Sequence, residues 1–446
     1  MKLKLTDPLV YGIIQKEYRK QLNKINLIAS ENYTSQAVRE AVSSVLMNKY
    51  SEGYPGKRYY EGNYYIDALE DLTISRVKKA FKLGDDYGVN VQALSGSIAN
   101  LVVYNGVLSP GDTILSMYLP AGGHLSHGWS INKDVDISDD IYMSGKRKTT
   151  LVSKLYNVVQ YKLNPRTDLL DYEILENALR KFKPKLVITG GTAYPREIDY
   201  AKVADIVHKH GSLYMADVAH EAGLIVAGVN KSPVGSADII TMTTHKTLRC
   251  NRGAIIIAKN EHIKDVNRSL FPGIQGGPHN HSIAGICVGL KEAMSNEFKI
   301  YAHDVVENAK ALADKLMEKG FRLVSGGTDK HLILVNLTNK PVLGAKYAKA
   351  LDIAGIIVNK NTMPKESRSP SNPSAIRIGT PSVSTRGMKE KEMHQIAVWM
   401  DQVMNRCASY NHLSMAEFIT QMSIDPKIIN ISKEVELLCK KYPFEK

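Results

Sequence analysis

Apolar positions Leu9, Ile13, Ile14, Tyr18 and Leu22 recur near helical spacing, so the chain is expected to open on a helix over 8–24. An extended arm from Ile25 to Asn32 follows. From about residue 85, short apolar runs alternate with amphipathic stretches. Val89–Leu94, Thr113–Met117, Leu155–Tyr161, Lys185–Thr189, Ser212–Ala216, Asp238–Thr243 and Gly253–Ala258 are predicted strands, with helices such as 172–182 and 200–210 between several of them. Strand–helix alternation of this kind predicts a largely parallel sheet covered by helices on both faces. The expected fold class is therefore α/β, with a mostly parallel seven-stranded sheet in a large domain over 36–280.

Residues 280–319 read as one long helix starting near His281 and leading into a smaller α+β domain, so that 281–446 forms the second domain and 1–35 an N-terminal helix and arm. Arg322–Ser325, Leu332–Asn336, Ile356–Val358 and Ala375–Gly379 are predicted strands there, and a helix is expected from Lys389 to about Arg406. Pro364–Pro373 is a loop rich in Ser and Pro. Residues 129–153 carry an acidic block (Asp134, Asp136, Asp139, Asp140) and then a basic one (Lys146, Arg147, Lys148) with little core-forming pattern. They predict a surface insertion, either a mobile loop or a β-hairpin.

The 446 residues leave room for two or three units of roughly 150. Hydrophobic content of 43% and charged content of 23% are those of an ordinary globular enzyme. No run of about 18 apolar residues predicts a membrane span, and the N-terminus lacks the apolar stretch of a secretory signal. Cys250, Cys287, Cys407 and Cys439 are too widely spaced for a metal or redox motif and fit a reducing cytoplasm. The formal charge of +13 is spread along the chain without long basic runs interleaved with aromatics. That pattern argues against a specific nucleic-acid surface and suits anionic ligands such as phosphate, carboxylate or polyglutamate.

Two predicted strands empty into reactive side chains. Leu213 to Ala216 leads to Asp217, and Ile239 to Thr243 leads to His245 and Lys246. A lysine and an aspartate at the carboxyl ends of two α/β strands fit pyridoxal phosphate, which needs an amine for a Schiff base and a carboxylate for its pyridinium nitrogen. Ser95-Gly96-Ser97 follows a strand and opens a helix, a junction that suits either a phosphate or a plain helix cap. His124 and His127, three apart, have no third metal ligand nearby; stacking on an aromatic cofactor or a structural hydrogen bond is the expected use, and no metal is expected. Glu52 stands among Tyr50, Tyr54, Tyr59 and Tyr60 in a Gly- and Pro-rich stretch, either an interface loop or a proton-transfer site. Arg377, on a short strand with apolar flanks, requires a carboxylate from a salt bridge or a substrate. Gly276-Gly277 is either a simple turn or an approach to a phosphate of a second subunit.

Taken together, the chain resembles the serine hydroxymethyltransferase family, pyridoxal-phosphate enzymes of the aspartate-aminotransferase fold type. The resemblance covers nearly the whole chain. Its carriers are Leu27 to Tyr33, Glu52 to Tyr60, Ser95 to Ser97, Gly122 to Gly128, Asp217 to His220, Thr243 to Lys246, Phe271 to Pro278, Val358 to Asn361 and Arg377 to Pro381.

The resemblance implies that pyridoxal phosphate is held covalently on Lys246, with Asp217 on the ring nitrogen, His124 stacked on the ring and His220 beside it. Ser95, Gly96 and Ser97 would hold the phosphate. Thr192, Thr243 and His245 would complete the cofactor shell, with Tyr50, Gly276 and Gly277 reaching over from a neighbouring subunit. Arg377, Ser30 and Tyr60 would bind the amino-acid carboxylate. Glu52, also from the neighbour, would move protons, while Leu119, Gly123, Leu125 and Asn361 would line a tetrahydrofolate site. Arg252 keeps its place beyond the lysine and belongs to the catalytic set. The implied partners are serine, glycine and tetrahydrofolate, in a cytoplasmic homodimer or tetramer with shared sites.

Departures from the family pattern are local. The family usually reads Thr-Leu-Arg-Gly-Pro-Arg-Gly after the lysine, whereas this chain has Thr247-Leu248-Arg249-Cys250-Asn251-Arg252-Gly253. Glu61 replaces a glycine, Met242 a threonine and Ala93 a proline. A folate-independent aldolase on β-hydroxy amino acids such as threonine, and a catalytically weak paralogue with a binding role, are the alternatives. Glu52 and the folate-lining residues favour the first reading over the aldolase, and retention of Lys246 argues against the paralogue.

Overall fold

The computed structural model describes residues 2–131, 139–143, 145 and 147–445. They divide into two compact units, Thr34–His303 and a second made of Met1–Tyr33 with Asp304–Lys446. This division differs from 36–280 and 281–446. Helix Asn280–Ala293 packs on helices Gln36–Val42 and Tyr64–Phe81 and so belongs to the first unit, and the N-terminal arm belongs to the second.

In the Thr34–His303 unit the large sheet is built from β1 (Tyr87–Asn90), β2 (Thr113–Met117), β3 (Ile141–Met143), β4 (Asn157–Tyr161), β5 (Leu186–Thr189), β6 (Leu213–Asp217), β7 (Ile239–Thr243) and β8 (Ala254–Lys259). Their spatial order is β1-β8-β7-β6-β5-β2-β4-β3. Neighbours from β7 to β4 run parallel, while β8 and β3 are antiparallel to theirs. Every residue of β5 and β7 is buried, which is why these strands read as apolar runs interrupted only by threonine and without polar alternation. Asp171 and Asp199 cap the helices Tyr172–Phe182 and Tyr200–Lys209 by accepting from their first backbone N–H groups.

The sheet thus has eight strands among the described residues, not seven, and it is mixed. The additional strand, β3, comes from the 129–153 segment, whose charge pattern predicts a surface insertion with little core. Tyr142 of β3 is only 5% exposed. Its ring stacks on Trp129 at 5.3 Å and lies 4.8 Å from that of Tyr118. This aromatic burial is not visible in a charge pattern. A short antiparallel pairing of Ser130–Ile131 with Arg147–Lys148 supplies the hairpin character expected there. Asp134, Asp136 and Lys146 lie outside the described residues.

Two element boundaries also move for local reasons. β1 ends at Asn90, whose side-chain Oδ1 accepts from the Gln92 N–H at 2.9 Å and turns the chain away from the ladder. The single long helix expected over 280–319 is two helices, Asn280–Ala293 and Asn296–Glu318. Ser295 separates them: its N–H closes on Glu292 at 2.9 Å, and its Oγ accepts from Phe298 N–H at 3.2 Å as a new cap.

The second unit holds an antiparallel sheet of β9 (Arg322–Leu323), β10 (Leu332–Asn336), β11 (Asn359–Asn361) and β12 (Ala375–Gly379), ordered β9-β10-β12-β11. Ile25–Asn26 of the arm pairs in parallel with Ile356–Ile357. Helix Glu390–Tyr410 is followed by Met415–Ile424 and Pro426–Lys441, two helices absent from the sequence reading although Ser414 with Glu417 and Asp425 with Pro426 are start signals. Arg386, 1% exposed, donates to the carbonyls of Gln21, Leu22, Lys24, Cys439 and Tyr442. It gathers the ends of the first long helix and the last one. Arg386→Leu strands these acceptors and is expected to destabilise this unit by about 3–5 kcal/mol. Calorimetry should show the corresponding transition moving to lower temperature; an unchanged transition would contradict that role.

Candidate active site

Lys246 lies three residues beyond the end of β7 and is 8% exposed. The loop that carries it closes on itself. Thr244 N–H donates to Gly253 O, Cys250 N–H to Thr244 O, and Thr244 Oγ1 to Asn251 O at 2.6 Å. Arg249 takes a positive φ of 64° and its guanidinium lies over the rings of Tyr301 at 4.7 Å and Phe298 at 5.5 Å. Tyr301 in turn donates its hydroxyl to Thr247 O. The Cys250-Asn251 pair fits because helix Asn280–Ala293 offers glycines against it. A Cβ on Gly289 would come within 2.4 Å of Cys250 Sγ, and one on Gly285 within 2.3 Å of Asn251 Oδ1. Asn251 also donates to Ser282 O at 3.2 Å. The departure from Gly-Pro is therefore met by close helix packing. Glu61 is exposed, and Met242 and Ala93 are buried.

Asp217 ends β6, the strand beside β7, with Asp217 in register with Thr241. Its Oδ2 accepts from His127 Nε2 and Asn100 Nδ2, both at 2.9 Å, and its Oδ1 from Ala219 N–H at 3.0 Å. Asn100 is itself fixed by Thr241 Oγ1 and donates to Ser126 Oγ, which bonds His124 Nδ1 at 2.7 Å. Burial alone would raise the carboxyl pKa. The hydrogen bond and proximity of His127, with His124 and Asn100 adding to them, outweigh it and hold Asp217 well below the usual carboxylate range. The structural use foreseen for the histidine pair falls to His127. The three-residue spacing from His124 marks only His127; no local signal in the sequence marks Asn100 or Thr241 as part of this network.

Ser95 caps helix Gly96–Val107 through Ile98 N–H and is exposed, as is Ser97. A Cβ on Gly96 would meet Thr243 at 2.5 Å, so glycine lets this helix start pack against the end of β7. Thr192 Oγ1 bonds His220 Nε2 at 3.2 Å, and Thr247 Oγ1 donates to His220 O. The Leu119–Leu125 loop is braced from behind, since Thr192 N–H donates to Gly122 O at 2.7 Å. Gly123 sits so near Met117 O that a Cβ would approach it to 2.1 Å. Leu125 is half exposed, and Arg252 is exposed beyond the lysine loop.

His245 is half-buried, and its Nδ1, which is itself buried, has no hydrogen-bond partner among the described residues. Burial, then the Arg252 and Lys246 charges, push its pKa down to about 3. The folded state thus keeps it neutral. Its stabilising contribution is full above the unfolded value near 6.5 and declines as pH falls toward about 3. Urea denaturation of His245→Gln is expected to lose stability less steeply than wild type between pH 6.5 and 5; parallel slopes would rule this out.

Tyr50, Glu52 and Tyr60 form a separate surface group with Gly276-Gly277. The rings of Tyr50 and Tyr60 meet edge-on at 5.4 Å. A Cβ on Gly277 would come to 3.2 Å from Tyr50, and one on Gly276 to 3.1 Å from Glu52 Oε1.

In the other unit, Arg377 sits mid-strand on β12 and donates from Nε to Asn359 Oδ1 at 3.1 Å. Burial lowers its pKa to about 10, so it stays charged at neutral pH. The arm is pinned to the same strand: Gly379 N–H donates to Leu27 O, and Gly379 leaves only 2.7 Å for a Cβ against Ala29, one residue before Ser30. Asn361 is half buried on β11 and donates to Thr362 O.

A strand-end lysine, an anionic strand-end carboxylate, an exposed helix N-terminus with serines and a buried unpartnered imidazole nitrogen fit pyridoxal phosphate in charge and donor chemistry. Fold and site together are of the α/β class of pyridoxal-phosphate enzymes. Within it, the chain belongs to the serine hydroxymethyltransferase family, whose model matches residues 3–400. It is 48% identical over 414 residues to the serine hydroxymethyltransferase of Acidothermus cellulolyticus, covering 93% of this chain and 92% of that protein. It is 47% identical over 441 residues to that of Desulfotalea psychrophila, covering 99% and 95%. With that of Methanosarcina barkeri it shares 48% identity over 439 residues, covering 98% of each.

Proposed function

We propose that the chain transfers the hydroxymethyl carbon of serine reversibly to tetrahydrofolate, giving glycine and 5,10-methylenetetrahydrofolate, with pyridoxal phosphate held on Lys246. The carrying observation is the pairing of buried Lys246 beyond β7 with ionised Asp217 on adjoining β6. When bound, the cofactor supplies an electron sink for the electrons left by cleavage of the serine Cα–Cβ bond. Asp217, kept anionic by its hydrogen bonds, holds a proton on the ring nitrogen. His124, steadied through Ser126, would stack against the cofactor ring. Ser95, Gly96 and Ser97 take the phosphate at the helix start, with Thr192, Thr243, His220 and His245 completing the shell and Arg252 supplying a cation beyond the lysine.

Arg377 binds the serine carboxylate, helped by Ser30, and so orients the bond to be broken. Leu119, Gly123, Leu125 and Asn361 line the folate side. Glu52 moves the proton at the hydroxymethyl oxygen, and it does so, with Tyr50, Tyr60, Gly276 and Gly277, in a neighbouring subunit's site. Exposed aromatic side chains on this surface, Tyr59, Tyr64 and Tyr65 among them, support a second copy as the occupant. The four buried, free cysteines suit a reducing cytoplasm.

Steady-state conversion of serine to glycine with and without tetrahydrofolate tests the reading. A strong folate dependence is expected. Folate-indifferent turnover beside fast threonine cleavage would favour an aldolase, and lack of an absorbance band near about 420 nm after adding cofactor would exclude both. Site sharing is tested by mixing Glu52→Gln and Lys246→Ala chains: mixed dimers should regain activity, and failure to regain it would count against shared sites.

A further inference from the structure

Glu52 and Tyr50 gain their positions from a buried amide that the proposed mechanism does not use. Asn280 is the first residue of helix Asn280–Ala293 and is 1% exposed. Its Oδ1 accepts the hydroxyl of fully buried Ser51 at 2.8 Å, and its Nδ2 donates to Lys49 O at 2.9 Å. These two bonds straddle Tyr50. One residue on, the carbonyls of Ser51 and Gly53 on either side of Glu52 both accept from Arg58 Nη1, at 3.0 and 2.7 Å. Arg58 is locked by Glu70 and Asp67. The Tyr50–Glu52 backbone is therefore held on both sides, while the Tyr50 side chain is left exposed and that of Glu52 half buried.

Asn280 also sets where this segment sits relative to Gly276-Gly277, which lie three and four residues before it. The two glycines approach the Tyr50 ring and the Glu52 carboxylate so closely that neither could carry a Cβ without moving them. Bonding both hydrogen-bonding ends of one buried amide to the 49–51 segment fixes that segment to the chain that carries the glycines.

We infer that Asn280 is a positioning residue that latches Tyr50, Glu52, Gly276 and Gly277 into one rigid surface, which acts in the neighbouring subunit's site and not in the site of its own Lys246. This rests on the shared-site reading above. A displacement of about 1 Å at an orienting group costs on the order of 10²-fold in rate. Asn280→Ala is accordingly expected to lower kcat roughly 10- to 100-fold and to weaken cofactor binding, followed by titrating the absorbance band, while the circular dichroism spectrum is retained. Ser51→Ala removes only one of the two bonds and should give a smaller loss of both. It also serves as the measurement if Asn280→Ala folds poorly.

The decisive experiment mixes chains. Chains bearing Asn280→Ala, with their own Lys246 intact, are combined with chains bearing Lys246→Ala and intact Asn280; mixing Glu52→Gln with Lys246→Ala is the control. In the mixed dimer the one lysine-bearing site receives its latch from the intact chain, so kcat per lysine and cofactor affinity should return to wild-type values. If the control recovers and the Asn280→Ala mixture stays as impaired as its homodimer, the latch acts on its own chain and the inference fails while the shared site stands. If the control does not recover, the shared-site reading falls and the inference with it. Wild-type kcat and cofactor affinity in both Asn280→Ala and Ser51→Ala homodimers would overturn the latch directly.

Discussion

Lys246→Ala is expected to abolish multiple turnover, a loss of at least about a thousandfold in the range seen when an enzyme's covalent nucleophile is deleted, without unfolding the chain. The expectation follows from how its loop is built. The closing bonds run between Thr244, Cys250, Asn251 and Gly253, and Thr247 ties the loop to His220 and Tyr301. They use the backbone and neighbouring side chains, so removing the amine takes away the covalent anchor and leaves the loop closed. The variant should bind pyridoxal phosphate more weakly, lose the band near about 420 nm and keep its circular dichroism spectrum. Wild-type multiple turnover in this variant would refute the assignment.

The second large effect is expected at Asp217. Asp217→Asn keeps size and shape but replaces one accepting oxygen by an NH2 group. Oδ1 receives Ala219 N–H and Oδ2 receives both Asn100 Nδ2 and His127 Nε2, so either orientation of the amide puts donor against donor. The site also loses the negative charge that would keep a ring nitrogen protonated. A fall in kcat of about 10²- to 10³-fold is expected, the size of a lost preorganised electrostatic contact. Lys246 is untouched, so the absorbance band should persist, and that separates this defect from the first. Asp217 is depressed in the folded chain, so its contribution to stability is present above the unfolded carboxyl value near 3.9 and is lost only as pH falls below that. Wild-type activity between pH 5 and 8 should then carry no inflection from Asp217, whose carboxyl stays ionised across that range.

The candidate site was legible where local chemistry and backbone pattern coincide. Mainly apolar runs ending in Asp217 and Lys246 marked strand ends because ionisable side chains are excluded from the buried body of a parallel strand and appear where it leaves the sheet. Ser95-Gly96-Ser97 marked a helix start because a cap and a close approach need those residue types. His127 and Asn100 were not legible as partners of Asp217. They lie 90 and 117 residues from it, and no local rule pairs them. Asn280 was likewise indistinct, since a buried amide at a helix start becomes informative only once Lys49 and Ser51 lie against it.

The same contrast runs through the fold. By itself the sequence determined the α/β class, the central strands β2 and β4 to β8, strands β10 and β12 of the smaller sheet, and the chemistry at their ends, because helical and extended periodicities are local consequences of backbone geometry. Tertiary structure alone decided that Ile141–Met143 joins the sheet edge, since only packing of Tyr142 on Trp129 and Tyr118 buries that strand. It decided that Cys250 and Asn251 are tolerated beyond the lysine, through the space left by Gly285 and Gly289 one helix away. It also decided the ionisation of Asp217, because a pKa depends on which donors surround a buried carboxyl, and those donors come from distant segments of the chain.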